Sequence, residues 1–246
     1  MKLQNKIALV TGGGRGIGRG IVKKLASEGA TVIINYANSQ SAAESLAQEV
    51  INAGGKAATV QADIGNLDDI HRMFEFVGRE FGALDILVNN AGAGAGGTPT
   101  LEAVTPEDYE FTFNLNTRGV FFTTQAAVKL MRDHGRIVNL SSSSTQTRQP
   151  GLSVYAGSKA ATEAFTRIWA TELAKRGITV NAILPGIVDT DLIKNNLTPE
   201  MAKRYGSAVP MGRMGQPEDI ADVVAFLCSE DARWVTSECI KVSGGA

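Results

Sequence analysis

The 246-residue chain has two cysteines, two histidines and almost no excess of either charge. Cys228 and Cys239 are too few for a disulfide framework or a four-cysteine zinc site, and both fall in apolar surroundings that read as core. His71 and His134 stand apart from any thiol or acidic cluster, which argues against a histidine-based metal centre. Twenty-four basic side chains against twenty-five acidic ones leave a net charge of −1, and no field to hold nucleic acid or an anionic membrane. No apolar run approaches the ~18 residues that suggest a membrane span. The run at 7–10 is too short for a secretion signal, so the expected location is cytoplasmic. Low-complexity linkers, charge blocks and internal repeats are also missing, so residues 1–246 read as one domain.

What the chain has is glycine, 27 of 246 residues or about 11%, above the usual ~7%. Around the glycine clusters, short β-branched runs alternate with amphipathic stretches. Strands are expected at 7–10, 31–35, 58–61, 84–88, 136–140, 179–184 and 239–242. Helices are expected at 17–28, 41–52, 67–81, 106–133, 154–175 and 217–229; in the last, Ile220, Val223, Val224 and Leu227 recur at i, i+3, i+4, i+7. The alternation predicts an α/β fold: one doubly wound, Rossmann-type domain with a mostly parallel seven-stranded sheet and helices on both faces. Residues 187–214 are the least patterned and read as a partly helical lid over a site.

The first expected strand runs into Thr11-Gly12-Gly13-Gly14-Arg15-Gly16-Ile17-Gly18 and then into a helix. A nucleotide pyrophosphate docks on a helix N-terminus in that position, and glycines let the backbone turn tightly and approach the phosphates. The strict G-x-G-x-x-G spacing fails, because Arg19 stands sixth from Gly14; what fits is G-x-x-x-G-x-G through Gly12, Gly16 and Gly18. At the end of the second strand an acidic residue would bond the ribose 2′-hydroxyl of NAD. Here the stretch is Asn35-Tyr36-Ala37-Asn38-Ser39, without a carboxylate, while Arg15 adds a cation and Asn38 and Ser39 add hydrogen-bond donors. Ser39 also reads as an N-cap for the following helix. The balance favours NADP(H).

Farther along, Tyr155 and Lys159 share a helix face at i, i+4, with Ser142 thirteen residues upstream of the tyrosine. A lysine ammonium near a phenol lowers its pKa from ~10 and makes a proton donor usable near neutral pH. Five hydroxyl residues run from Ser141 to Thr145; register against the preceding strand selects Ser142, with Ser141 and Ser143 as alternatives.

From Lys6 to Gly245 the chain resembles the short-chain dehydrogenase/reductase (SDR) family. The family's T-G-x-x-x-G-x-G is followed in order by Asp63-Ile64, Asn89-Asn90-Ala91-Gly92, Asn116, Ser142, Tyr155-x-x-x-Lys159 and Pro185-Gly186. The resemblance implies cofactor contacts from Gly12, Arg15, Gly16, Ile17 and Gly18, from Tyr36 to Ser39, and from Asp63 and Ile64 at the adenine. It adds Asn90, Ala91 and Gly92 by the ribose, Tyr155 and Lys159, and Pro185, Gly186, Val188 and Thr190 at the nicotinamide. Ser142 would polarise a substrate carbonyl, and Asn116 would kink its helix and hold a relay water beside the lysine. The activity implied is NADPH-linked reduction of a small-molecule ketone to a secondary alcohol, in a homotetramer paired through 106–133 and 154–175.

Candidate pocket residues lie at 93–97, Ser144, Gln149, Leu152, Leu192 and Ile193, and none is charged. One alternative is β-ketoacyl-acyl-carrier-protein reductase, which much of the chain, including 212–221, also resembles. Those relatives carry arginines where this chain has Asp133 and Thr171, although Arg132 and Lys175 lie nearby, so the carrier protein is disfavoured as a partner. The other alternative is a non-catalytic NADP-binding sensor or scaffold; the complete Ser, Tyr, Lys and Asn set argues against it.

Overall fold

The computed structural model describes residues 1–94, 99–190 and 198–246. Seven strands, β1 (Ile7–Val10), β2 (Thr31–Tyr36), β3 (Lys56–Gln61), β4 (Leu84–Asn89), β5 (Met131–Leu140), β6 (Thr179–Pro185) and β7 (Cys239–Val242), form one sheet. Their order is β3-β2-β1-β4-β5-β6-β7, and each neighbouring pair is parallel. The helices are α1 (Gly16–Ser27), α2 (Gln40–Asn52), α3 (Leu67–Phe81), α4 (Pro106–Phe113), α5 (Val120–Leu130), α6 (Ser153–Leu173), α7 (Pro199–Ala208) and α8 (Pro217–Cys228).

Period-two alternation sorts each strand between two cores. Val10, Val32 and Ile34 pack with Ile21 and Leu25 of α1, Leu46 of α2 and Val224 and Leu227 of α8. Leu9 and Ile33 face the other way, toward Ile70, Met73 and Val77 of α3, Val120 of α5 and Trp169 of α6. Full burial of each such side chain contributes roughly 1.5–3 kcal/mol. Helix α3 is also capped, since the Asn66 carboxamide oxygen accepts from the Asp68 and Asp69 N–H groups. The chain leaves β1 to build β2 and β3 on one side, then crosses to β4 on the other. A crevice therefore opens at the C-terminal ends of β1 and β4, where ligands of such sheets bind.

The segment expected as one helix over 106–133 is three elements. Helix α4 gives way to a π-helical turn at Asn114–Gly119, α5 ends at Leu130, and Met131 already pairs with Leu84 in β5. The turn lies where the chain crosses the Ile64 carbonyl so closely that a Cβ on Gly119 would sit 2.6 Å from that oxygen. Met131, Arg132 and Asp133 lack any strand signature, so apolar periodicity carried the helix reading too far. Within 187–214, Val188 bridges Gly215 and α7 is capped by the Thr198 hydroxyl; residues 191–197 lie outside the described residues.

Candidate active site

Strand β1 delivers Thr11 to the crevice, and the glycine loop that follows is held from both sides. On the β2 side, the Asn35 carboxamide oxygen accepts from the Gly12 N–H at 3.2 Å and its backbone carbonyl from Gly13 at 3.0 Å. The Asn35 amide is spent on the Ala62 carbonyl at 2.9 Å. On the β4 side, the Asn90 amide donates to the carbonyls of Thr11 and Gly12 at 2.9 and 3.0 Å, while the Thr11 hydroxyl accepts from the Asn90 and Ala91 N–H groups. Gly18 approaches so closely that a Cβ there would lie 2.5 Å from the Gly12 carbonyl oxygen. The N–H groups of Gly14, Gly16, Ile17 and Gly18 donate to nothing among the described residues. Glycine spacing marked the loop, but the sequence reading overlooked Asn35 as its latch. The available signal was a polar residue inside the otherwise apolar β2 run, which burial at 2% tolerates only when hydrogen-bonded.

At the β2 end, Arg15 and Asn38 are exposed, and the Arg15 guanidinium has no partner among the described residues. Ser39 sits at the N-cap of α2 without a side-chain cap bond, so its hydroxyl remains available. Tyr36 is buried in the core, and the Ala37 carbonyl accepts from the Gln61 side chain. Ile64 is likewise core, which leaves only its backbone to meet a ligand, whereas Asp63 is exposed and accepts from the Gly65 N–H. Val188 is buried in the first core; Thr190 lies over the glycine loop, 3.3 Å from where a Cβ on Gly16 would stand. Gly186 bonds the Val242 carbonyl, tying the end of β6 to β7.

Strand β5 ends at Leu140 and sends Ser141 and Ser142 to the same rim. Ser141 is committed elsewhere: its hydroxyl lies 2.7 Å from the Glu163 carboxylate and 3.2 Å from the Lys159 carbonyl, its acceptors among the described residues. Ser142 is half-buried and accepts from the Ser144 N–H at 3.2 Å. Helix α6 brings Tyr155 and Lys159 alongside, the Lys159 Nζ 5.9 Å from the centre of the tyrosine ring. A Cβ on Gly92 would stand 3.0 Å from both this Nζ and Asn116 Oδ1, so the loop after β4 closes directly over the lysine. Asn116, fully buried in the π-turn, exchanges two hydrogen bonds with the Ala93 backbone and donates to Ser158 Oγ, which donates to the Tyr155 carbonyl. Its own carbonyl accepts from Thr162 at 3.2 Å. Asn116, Ser142, Tyr155 and Lys159 thus share one corner of the crevice. Of the pocket residues, Ser144, Gln149 and Leu152 line a groove beside Tyr155, while 95–97, Leu192 and Ile193 lie outside the described residues.

The electrostatics depart from the expectation in one respect. Burial pushes the Tyr155 phenol up rather than down, and the Ser142 hydroxyl offsets this only in part. The lysine is spent differently: its Nζ donates to the Leu140 carbonyl at 2.8 Å, and burial lowers its pKa to about 8. Within the chain alone, desolvation outweighs the attraction expected between ammonium and phenolate.

A family model described as enoyl-(acyl carrier protein) reductase matches residues 12–246. The chain is 39% identical to a short-chain dehydrogenase/reductase from Serratia marcescens, covering all of this chain and 99% of that one at a TM-score of 0.94. It is 41% identical to the angucycline C-6 ketoreductase LanV, solved with bound NADP, over 99% and 96% of the two chains at a TM-score of 0.92. The tetrahydroxynaphthalene reductase of Pyricularia oryzae is 42% identical over 99% of this chain and 90% of its own length.

Proposed function

The chain belongs to the short-chain dehydrogenase/reductase family, and on that premise we propose that it reduces a small free ketone to a secondary alcohol with NADPH. The observation that carries the reading is the convergence of Ser142, Tyr155 and Lys159 beside the glycine loop, at the switch point between β1 and β4. Relatives named as ketoreductase and as tetrahydroxynaphthalene reductase, one solved with NADP, support both the reaction and the cofactor.

The loop fits a dinucleotide: four N–H groups at the start of α1 are unbonded among the described residues, and the missing Cβ of Gly18 lets the loop fold tightly against the Gly12 carbonyl. Arg15, Asn38 and Ser39 suit a 2′-phosphate, and no carboxylate stands at the end of β2 to repel one. Asp63, the backbone of Ile64, Asn90, Ala91, Gly92, Pro185, Gly186, Val188 and Thr190 complete the wall of the crevice. Bound NADPH supplies a hydride to the carbonyl carbon. The Ser142 hydroxyl donates to the carbonyl oxygen and stabilises its growing negative charge. Tyr155 gives that oxygen its proton, and Lys159 stabilises the phenolate left behind. Asn116 acts through Ser158 and the Ala93 backbone to hold both the tyrosine and the loop over the lysine. Residues 187–214 serve as the lid of this single catalytic domain.

Free ketones are favoured over carrier-linked ones because Asp133 and Thr171 stand where the carrier-protein reductases carry arginines. Two of the three neighbouring cations are already paired, while Lys175 is exposed and makes no ion pair among the described residues. Arg132 is bound to the buried Asp85 at 2.8 Å, and Arg176 to Asp133 at 2.9 Å. Docking of an acidic carrier needs unpaired positive charge. Among the described residues no helix is long and apolar enough to cross a membrane, and we assign the protein to the cytoplasm as a homotetramer. Exposed Phe111 and Ile168, at 62% and 59%, on the outer face of α4 and α6 support the assembly.

The test is NADPH consumption on a panel of neutral ketones, with Tyr155→Phe as control. Turnover should fall by ~10²-fold or more, the usual worth of a positioned proton donor, while NADPH affinity stays within a few-fold. A variant that keeps a tenth or more of wild-type turnover overturns the proposal.

A further inference from the structure

Beside the catalytic corner runs a groove of about 340 Å³, bounded by Leu101, Pro150 and Leu152 and by the polar side chains of Ser144 and Gln149. It meets the site through Ser144, two residues beyond Ser142, and through Ala156, next to Tyr155. Among the described residues no side chain on its wall is ionisable, so none of them supplies a cation to a carboxylate or a phosphate. Its polar capacity is hydrogen bonding to neutral groups.

Ser144 differs from the hydroxyls around it. Thr145 donates to the Ser142 carbonyl and Thr147 to that of Ser144, so both are satisfied locally. The Ser144 Oγ is buried and has no partner. Among the described residues three other buried polar atoms share this condition, on Asn89, Thr123 and Thr179, but none of those residues lines the groove. A buried hydroxyl without a partner is costly, and the cost is recovered when a ligand supplies the missing bond. The backbone of Ser144 meanwhile donates to Ser142 Oγ, which fixes the position of the orphan hydroxyl relative to the one that receives the carbonyl.

We propose that Ser144 is a specificity-determining residue whose hydroxyl binds a second oxygen of the substrate, a hydroxyl or carbonyl group beside the ketone being reduced. The inference rests on the ketoreductase reading and narrows its substrate class to neutral ketones bearing an additional oxygen. Ser142 reads the oxygen that reacts; Ser144 reads the one that does not. A ketone lacking the second oxygen leaves the Ser144 hydroxyl orphaned and loses the bond.

The experiment measures kcat/KM with NADPH for 1-tetralone and 2-hydroxy-1-tetralone, in wild type, Ser144→Ala and Ser144→Thr. Wild type should prefer the hydroxylated ketone by about tenfold, the upper range of one net hydrogen bond. Ser144→Ala should erase that preference by slowing the hydroxylated substrate while leaving 1-tetralone within about twofold; Ser144→Thr, which keeps the hydroxyl, should retain it. Equal rates on both ketones in wild type overturn the proposal. So does an equal loss on both in Ser144→Ala, which assigns the residue only to the turn beneath Ser142. If neither ketone turns over, the ketoreductase reading is decided by the neutral-ketone panel with Tyr155→Phe. Calorimetric binding of the same two ligands to the NADP-loaded protein then decides for Ser144: weakening confined to the hydroxylated ligand in Ser144→Ala supports it, and no difference overturns it.

Discussion

Lys159 is held where a cation is unwelcome, 5% exposed and with the Leu140 carbonyl as its hydrogen-bond acceptor. Its pKa falls from 10.5 in the unfolded chain to about 8, so folding is penalised wherever the amine is charged. The penalty is full below about 8, shrinks as pH rises toward 10.5, and amounts to roughly 3 kcal/mol at about 1.4 kcal/mol per pH unit. Lys159→Met should therefore unfold at higher denaturant concentration than wild type at pH 7 while losing activity, and the stability gap should narrow on titration to pH 10. A variant less stable than wild type at pH 7 would contradict this. The i, i+4 spacing places Tyr155 and Lys159 on one helix face without tertiary knowledge, and the resemblance, with Ser142 thirteen residues upstream, singles the pair out. The sequence did not reveal the upward push on the tyrosine, which depends on how much protein closes over the ring and on which atom the lysine reaches. Register against the preceding strand selects Ser142, and the Glu163 carboxylate, by engaging Ser141, supports that choice over one of its two alternatives.

The glycine loop and the strands beside it carry two separable tasks, phosphate choice and loop shape. Arg15→Ala removes an exposed, unpaired cation and should lower the preference for NADPH over NADH by about tenfold in kcat/KM, with no change in stability. Asn35→Ala releases the Gly12 N–H and strands the Ala62 carbonyl, so it should weaken both cofactors alike and cost about 1–3 kcal/mol of stability. Kinetics with both cofactors, together with urea unfolding, separate the two effects. Among the elements, the ends of α3 and β1 were legible because Asn66 caps the helix and Gly12 stops the strand. The break inside 106–133 was not, since a π-turn leaves no composition signal and arises from close passage over the Ile64 carbonyl. Strand β3 begins two residues earlier than expected because pairing with β2, not its own weak apolar pattern, recruits Lys56 and Ala57.

For the whole molecule, a parallel seven-stranded sheet with both faces covered followed from the alternation of strand and helix, while the strand order, with its switch between β1 and β4, is given by the structure. The outer surface of α4, α5 and α6 remains apolar after that sheet is covered. A cleft of about 750 Å³ there is lined by Tyr109, Phe111, Phe113, Phe121 and Phe165 among others, and by none of Ser142, Tyr155 and Lys159. Elsewhere β7 ends the sheet as an edge strand, and Trp234, shortly before it in the chain, is 95% exposed. Two such surfaces suit a tetramer with two kinds of two-fold contact. Light scattering at micromolar concentration should give four times the 26.0 kDa chain mass, and a monomer would refute the assembly. The double latch from Asn35 and Asn90 also bears on time. A loop already shaped by its neighbours has no folding step to complete when a nucleotide collides with it, so association is a one-barrier encounter. In stopped-flow mixing, the observed rate of NADPH capture should climb linearly with concentration, without the plateau that a slow ordering step imposes.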